Sequence, residues 1–329
     1  MKLVKLIAAV AVAAGSLATG HTVAQALELK FGHVGAPGSL FDLTANEFAE
    51  RANANLAGKA TVVVFGASQL GKDKELLQKL KLGTVDFALP STVMSTVADE
   101  FGLFEMPYLV KDRAHMKRIE NEIFWSKLAP AVEKKGYKII ALWENGFRHI
   151  TNNVQPINTP DDLNGIKLRT PKGKWRVKMF QSYGANPTPM AFSEVFVALQ
   201  TGVIDGQENP FAQIYSAKFH EVQKYLSLTG HVYTPAYVTV GKEKWESLPD
   251  DIRTVLEETA RETQPFVYET AAGLEKELLD KLGQSGIKIN EASKAAFIDA
   301  SKGIYDGFAD EVPGGGELVD KAMSLAGSS

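Results

Sequence analysis

Hydrophobic and polar positions follow two periods along this chain, and the period switches many times. LELKFGHV (27–34) alternates residue by residue, the pattern of a strand with one buried face. From Leu40 to Leu56 the spacing lengthens, so that Phe41, Ala45, Phe48, Ala49, Ala52 and Leu56 share one side of a helix. KATVVVFG then reads as a β-branched strand ending at Gly66. DKELLQKLKLG (73–83) reads as an amphipathic helix with a glycine stop, and TVDFALPS as a strand ended by Pro90. A helix near 113–134 precedes two predicted strands, KIIALW and FRHITNN. In TPDDLNG, Thr159 is the expected N-cap, with Pro160 at the first helical position. IKLRTP is a strand, Trp175 to Tyr183 a helix, and Ser193 the expected cap of EVFVALQ. HVYTPAYVTV is strand-like, and one helical region runs from about Pro249 to Lys281 with a kink at Pro265. IKIN and a final helix close the chain, with the glycines at 314–316 as a loop. This alternation predicts an α/β protein with largely parallel sheets. No repeat or low-complexity linker interrupts it. A domain boundary would therefore consist of short crossing strands, and a helix as long as 249–281 can lie across two domains.

The N-terminus departs from this pattern. MKLVK carries two lysines, LIAAVAVAAGSLA is almost wholly apolar, and Ala24-Gln25-Ala26 offers a small-residue cleavage site. These are the three parts of a secretory signal peptide over residues 1–26, and the apolar run is short for a membrane span, which needs about 20 residues. Cleavage after Ala26 would put a mature chain of about 300 residues in the periplasm, enough for two domains. The composition is that of a globular protein, with 45% hydrophobic and 23% charged residues. There is no cysteine, hence no disulfide, thiolate metal site or cysteine nucleophile. The formal net charge is −3, and loss of Lys2 and Lys5 with the leader makes it two units more negative. A mildly acidic chain without a basic stripe is a poor partner for nucleic acid.

The most unusual stretch is LQTGVIDGQENP (199–210). An apolar helix stops at Gly202, and acids, an amide and an asparagine crowd around Gly206 before Pro210. Catalytic loops look like this, and so do clefts that hold a polar ligand unchanged. Catalytic signatures are missing elsewhere. There is no dinucleotide fingerprint or phosphate loop, GASQLG has the wrong spacing for a nucleophile elbow, and His33, His115, His149, His220 and His231 lack metal-ligand spacing. No metal or cofactor is expected. Asp161 and Asp162 suit a helix start, where a carboxylate meets the positive end of the dipole. Arg148 in GFRHITN and Arg169 in IKLRTP stand out instead. Each suits a surface position or an ion pair between domains. Arg169 also ends an alternating strand, where open α/β sheets bind ligands, and a guanidinium there can grip a carboxylate with two parallel hydrogen bonds.

Two long blocks, NGFRHITNNVQPINTPDDLNGIKLRTP and GANPTPMAFSEVFVALQTGVIDGQENP, resemble the solute-binding subunits of tripartite ATP-independent periplasmic (TRAP) transporters. The resemblance continues through SQLG, VDFAL and the long helix. It implies a two-domain periplasmic binding protein fold of α/β class, with a ligand cleft between domains, hinge strands and a long domain-spanning helix. Domain I would be 27–146 with about 235–274, and domain II 147–234 with about 275–329. It implies an acid ligand held by Arg169, approached by Arg148, contacted by Asn209 and lined by Phe192. Gly206 would then allow a turn and Pro210 bias Asn209 to an extended backbone, so that the amide offers a donor and an acceptor to the ligand. Asp205 and Glu208 would fix the loop, since a like charge opposes an anion. Sialic-acid-binding relatives carry an acid after VDF where this chain reads ALPST, which argues against that ligand. His33, Ser39, Asp73, Ser91 and Thr92 can supply hydrogen bonds to ligand hydroxyls or serve as caps and loop residues, and Trp175 an apolar wall or core. The expected ligand is a hydroxylated monocarboxylate such as a uronate or aldonate, with a C4-dicarboxylate or another organic acid as the competitor. The expected partner is a membrane-embedded TRAP permease, with the receptor a monomer. An enzyme or sensor on the same scaffold is the reading from another class.

Overall fold

In the computed structural model, which describes residues 27–327, eleven strands form two sheets. In chain order they are β1 (Leu27–Gly32), β2 (Ala60–Phe65), β3 (Phe87–Ala88), β4 (Tyr137–Phe147), β5 (His149–Asn152), β6 (Lys167–Thr170), β7 (Asn186–Pro189), β8 (Gly206–Asn209), β9 (Tyr225–Leu228), β10 (Tyr233–Gly241) and β11 (Lys288–Glu291). The first sheet has the order β2-β1-β3-β10-β4 and the second β11-β9-β5-β8-β6-β7. The signal-peptide segment 1–26 lies outside the described residues.

The predicted faces become the core. Leu29 and Phe31 of β1 are buried, as are Phe41, Ala45, Phe48, Ala49 and Ala52 of the helix Leu40–Leu56. Phe31, Phe48, Phe87 and Trp143 meet with ring centroids 5.7–6.4 Å apart. Ser39 caps that helix, its Oγ accepting from Asp42 N–H at 3.2 Å. The second sheet has its own apolar layer, with Val195, Leu199, Ile204, Ile214 and Leu226.

The chain crosses between sheets at the junction of β4 and β5, and again from β9 to β10. Arg148 occupies the first crossing, and its N–H donates to Val232 O on the second at 2.9 Å. β4 runs four residues past the predicted KIIALW, so Arg148 lies between two strands instead of within one. The crossing strands pair antiparallel, β4 with β10 and β5 with β8 and β9. The sheets are therefore mixed, where largely parallel ones were expected.

A third connection is helical. The region from 249 is two helices, Asp250–Glu262 and Gln264–Gln284, breaking at Thr263. Pro265, second in the latter, has no N–H to continue the ladder across the break. Val267 packs with the first sheet's core, while Leu278 and Leu282 pack with the second's. The helix thus spans both. The last helix, Gly315–Ser324, returns to the first sheet's side, where His115 Nε2 lies 2.8 Å from Ala322 O and Arg118 Nε donates to Leu325 O at 2.7 Å. Gly315 and Gly316 open this helix, so only Gly314, at φ +74°, is the turn expected of the triplet.

Candidate functional site

The local chemistry of 199–210 follows its sequence reading at Gly202 and departs from it at Gly206. Gly202, at φ +71° with open space around it, makes the left-handed turn after the helix Val195–Gln200. Gly206 makes no turn. It is the first residue of β8, and a Cβ there would sit 2.4 Å from Thr151 O. A glycine is required so that β5 can approach. Ser193 does not cap the helix either. It lies in a 3₁₀ turn, where Glu194 Oε2 accepts from Ala191 N–H at 3.1 Å.

Pairing of β8 with β5 and β6 gathers the polar groups. His149 stands opposite Asn209, and Arg169 opposite Gln207. Around them lies a cavity of about 230 Å³ between the two sheets. Arg169, Arg148, Asn209, Phe192, Asp73, Ser91 and Thr92 all border it, joined by Asn145, Met190 and Gln213.

Arg169 is buried and donates from Nε and Nη2 to Met190 O at 3.1 and 2.8 Å. None of the hydrogen bonds among the described residues uses its Nη1, so the Nη1–Nη2 end of the fork stays available. Burial lowers its pKa to about 10, which leaves it charged at neutral pH. Arg148 is differently placed. Its Nε lies 2.5 Å from Glu208 Oε2, and its Nη2 donates to Glu208 Oε1 at 2.9 Å, to Glu208 O at 2.7 Å and to Asn209 Oδ1 at 3.1 Å. Asn209 Nδ2 donates to Gln207 Oε1 at 2.5 Å. The acceptor of Asn209 is thus taken by Arg148, and one amide hydrogen remains for a ligand.

Glu208, expected only to fix the loop, is the hub of a buried cluster. Its Oε2 also accepts from Arg176 Nη1 at 2.7 Å and lies 3.1 Å from His231 Nε2. Burial pushes this carboxyl up, but Arg148 and Arg176 outweigh it and hold it far below the carboxylate range. Arg176 Nη2 reaches Glu105 Oε2 at 3.0 Å, and burial raises Glu105 to about 7 against the pull of Arg176. Burial likewise raises Asp73 to about 6 against Arg169. At neutral pH three guanidiniums therefore face Glu208, firmly ionised, Asp73, still mostly ionised, and Glu105, close to half-protonated. Positive charge is in excess, and an anion in the cavity would balance it.

Ser91 Oγ donates to Pro235 O at 2.6 Å, while the buried Oγ1 of Thr92 and Oε1 of Gln213 have no hydrogen-bond partner among the described residues. His33 and Trp175 do not border the cavity. His33 is buried behind it, and a Cβ on Gly66 would come within 2.8 Å of its Cε1; burial lowers its pKa to about 4. Trp175 is core, stacked edge-on to Phe308 at 5.3 Å and closed over Gly102. Ser39 is spent on its cap, and Asp73 is the first residue of its helix, after the N-cap Lys72. Sequence reasoning missed Glu105, Arg176 and His231. Arg176 adjoins Trp175 in KWRVK, but nothing in that pattern distinguishes it from a surface cation. Among the described residues no group of three or more His, Asp or Glu could hold a metal, and no helix is long and apolar enough to cross a membrane.

Residues 31–311 match the family described as bacterial extracellular solute-binding protein, family 7. The chain belongs to this family. It is a TRAP-type solute receptor and not an enzyme. It is 32% identical over 309 residues to the 2,3-diketo-L-gulonate-binding periplasmic protein YiaO of Escherichia coli, covering 93% of this chain and 94% of YiaO. It superposes on the sugar acid binding protein DctPAm of Advenella mimigardefordensis, solved with galactonate, at a TM-score of 0.88 with 31% identity, over 92% of this chain and 98% of the other. A TRAP solute binding protein of Sulfurospirillum deleyianum, solved with succinate, gives 0.87 and 32% over 91% and 99%. Those neighbours share the two-domain binding fold.

Proposed function

We propose that the receptor binds a hydroxylated monocarboxylate, such as a uronate or aldonate, and delivers it unchanged to a membrane-embedded TRAP permease. The observation that carries this reading is Arg169, a buried guanidinium at the end of β6 with half its fork unspent, in a cavity with surplus positive charge. The free end of Arg169 grips the ligand carboxylate. Arg148, oriented by Glu208, adds its field and Asn209 one amide hydrogen. Phe192 covers an apolar face of the ligand, and Asp73, Ser91 and Thr92 meet its hydroxyls. Relatives that bind 2,3-diketo-L-gulonate or were solved with galactonate support a sugar acid. A relative solved with succinate keeps a C4-dicarboxylate as the competing ligand.

Residues 27–146 with about 235–274 would move as one body, and 147–234 with about 275–329 as the other, with the last helix tied back to the first body through His115 and Arg118. A ligand touching both bodies favours the closed state by that differential contact. The protein would act as a periplasmic monomer, exported by a signal peptide cleaved after Ala26. A thermal-shift screen over organic acids tests the ligand class, because a ligand at about 100 times its dissociation constant stabilises by roughly 2.7 kcal/mol. Small-angle scattering should show a smaller radius of gyration with the best hit. Recovery of that acid chemically altered, or an identical scattering curve at saturation, would overturn the receptor mechanism.

A further inference from the structure

We infer that Asp73 sets the class of acid the cleft accepts, admitting a monocarboxylate whose far end carries hydroxyls and turning away a dicarboxylate of the same length. This rests on the function proposed above and goes beyond it by assigning the discrimination to one side chain.

The unspent hydrogen-bonding capacity of the cavity is unevenly divided. On the second sheet's side, Arg169 offers donors. Elsewhere the groups that lack a partner are mostly acceptors. Gln213 Oε1 is buried and unbonded, while its Nε2 already faces Asn145 Oδ1 at 3.4 Å. Asp73 brings an ionised carboxylate, which can only accept, from the start of the helix Asp73–Lys81. None of the hydrogen bonds to other residues ends on that carboxylate among the described residues. Thr92 Oγ1, also buried and unbonded, can give or take. A carboxylate ligand with distal hydroxyls supplies donors to Asp73 and Gln213. Succinate has no donor to give. Bound by Arg169 at one end, it would leave Gln213 unpaired and bring a second charge toward Asp73.

Lysines also border the cavity, but they do not reverse the balance. Lys72 Nζ is held by Glu194 at 2.6 Å, and that same acid attracts Lys172. Lys74 is exposed to solvent at the rim, where attraction is screened. The other acid on the cavity wall, Glu75, is exposed, and its Oε2 accepts from Lys72 N–H at 3.0 Å. Asp73 is thus the acid placed to meet the ligand.

The test is calorimetry at about pH 8, above the raised pKa of Asp73 of about 6, with D-erythronate, D-galactonate and D-glucuronate against succinate and L-malate. The wild type should bind at least one hydroxy monocarboxylate about tenfold or more tighter than succinate. Asp73→Asn should shrink that ratio by about tenfold, and Asp73→Glu should largely keep it. Gln213→Met is the second variant. It should weaken the hydroxy acid and bind succinate no worse, since the acceptor that succinate leaves unpaired is gone, and an unchanged ratio in this variant overturns the inference if Asp73→Asn does not fold. A wild type that prefers succinate, or an unchanged ratio in folded Asp73→Asn, overturns this inference and leaves the receptor reading standing. A folded wild type that binds no acid of the panel overturns the proposed function, and this inference with it.

Discussion

Arg148 and Glu208 clasp each other across the start of β5 and the end of β8, through both carboxylate oxygens and the Glu208 carbonyl. Both are buried, so neither charge has water to fall back on. Arg148 borders the cavity, while Glu208 orients it from behind and links it to Arg176 and His231.

Glu208→Gln should therefore be far more damaging than an exposed charge change. It leaves Arg148 and Arg176 buried with no ionised partner at Glu208, a loss of about 3–5 kcal/mol for a broken buried pair. Urea unfolding of the purified variant measures it. A loss below about 1 kcal/mol, the range of surface pairs, would show that water reaches the cluster.

Arg169→Lys keeps the charge and removes the fork. The fold should survive, because among the described residues the only hydrogen-bond acceptor lost is the Met190 carbonyl. Affinity for the best acid should fall about tenfold or more, which is about 1.4 kcal/mol. Unchanged affinity by calorimetry would remove Arg169 from the carboxylate site.

Acid should destabilise the protein in a window set by its buried histidines. Burial lowers His33 to about 4, His149 to about 3 and His231 to about 4. The unfolded chain takes up these protons below the ordinary 6.5, so stability is lost as pH falls from about 6.5 toward 4. Glu105 and Asp73 act in the opposite sense. Their folded pKa values are raised to about 7 and 6, so their contribution is present at low pH and lost as pH rises through those values. Burial lowers His115 with the other histidines and raises Asp86 and Glu144 with the opposing carboxyls, while Glu208, held low by Arg148 and Arg176, adds to the loss on the acid side. Urea midpoints across this range check the sign. Glu105→Gln should steepen the slope, since it removes one opposing group.

Gly202 and Gly206, four residues apart, should respond unequally to alanine. Gly206→Ala drives a methyl against Thr151 O, a backbone atom that cannot swing aside, and should cost several kcal/mol or prevent folding. Gly202→Ala has open space and meets only the left-handed backbone penalty of about 1–2 kcal/mol. Thermal melts of the two variants compare them directly. Equal losses would mean that β5 relaxes away from β8.

Periodicity determined many of the elements of this two-sheet α/β protein, β1, β2, β6 and the helix Leu40–Leu56 among them, but it does not predict β7, β8 or β9. The faces of β1 and of the helix Leu40–Leu56 are readable because burial of one side forces a 2.0 or 3.6 repeat on the sequence itself. Arg169 was legible for a related reason, a charged residue ending an apolar strand. The long ordered blocks around 148–169 and 184–210 marked the family. What the sequence could not determine is who meets whom. Glu208, Arg176, Glu105 and His231 are far apart in the chain and obey no local period, and only the folding of two sheets around one crossing brings Arg176 and His231 to one oxygen of Glu208 and Glu105 to Arg176. The same holds for the fate of Trp175, which Gly102 and Phe308 claim for the core, and for Gly206, whose need is a neighbouring strand and not its own φ. Local periodicity is written in each segment by its own burial. Charge pairing and close approach depend on distances between segments, and those exist only once the chain has folded.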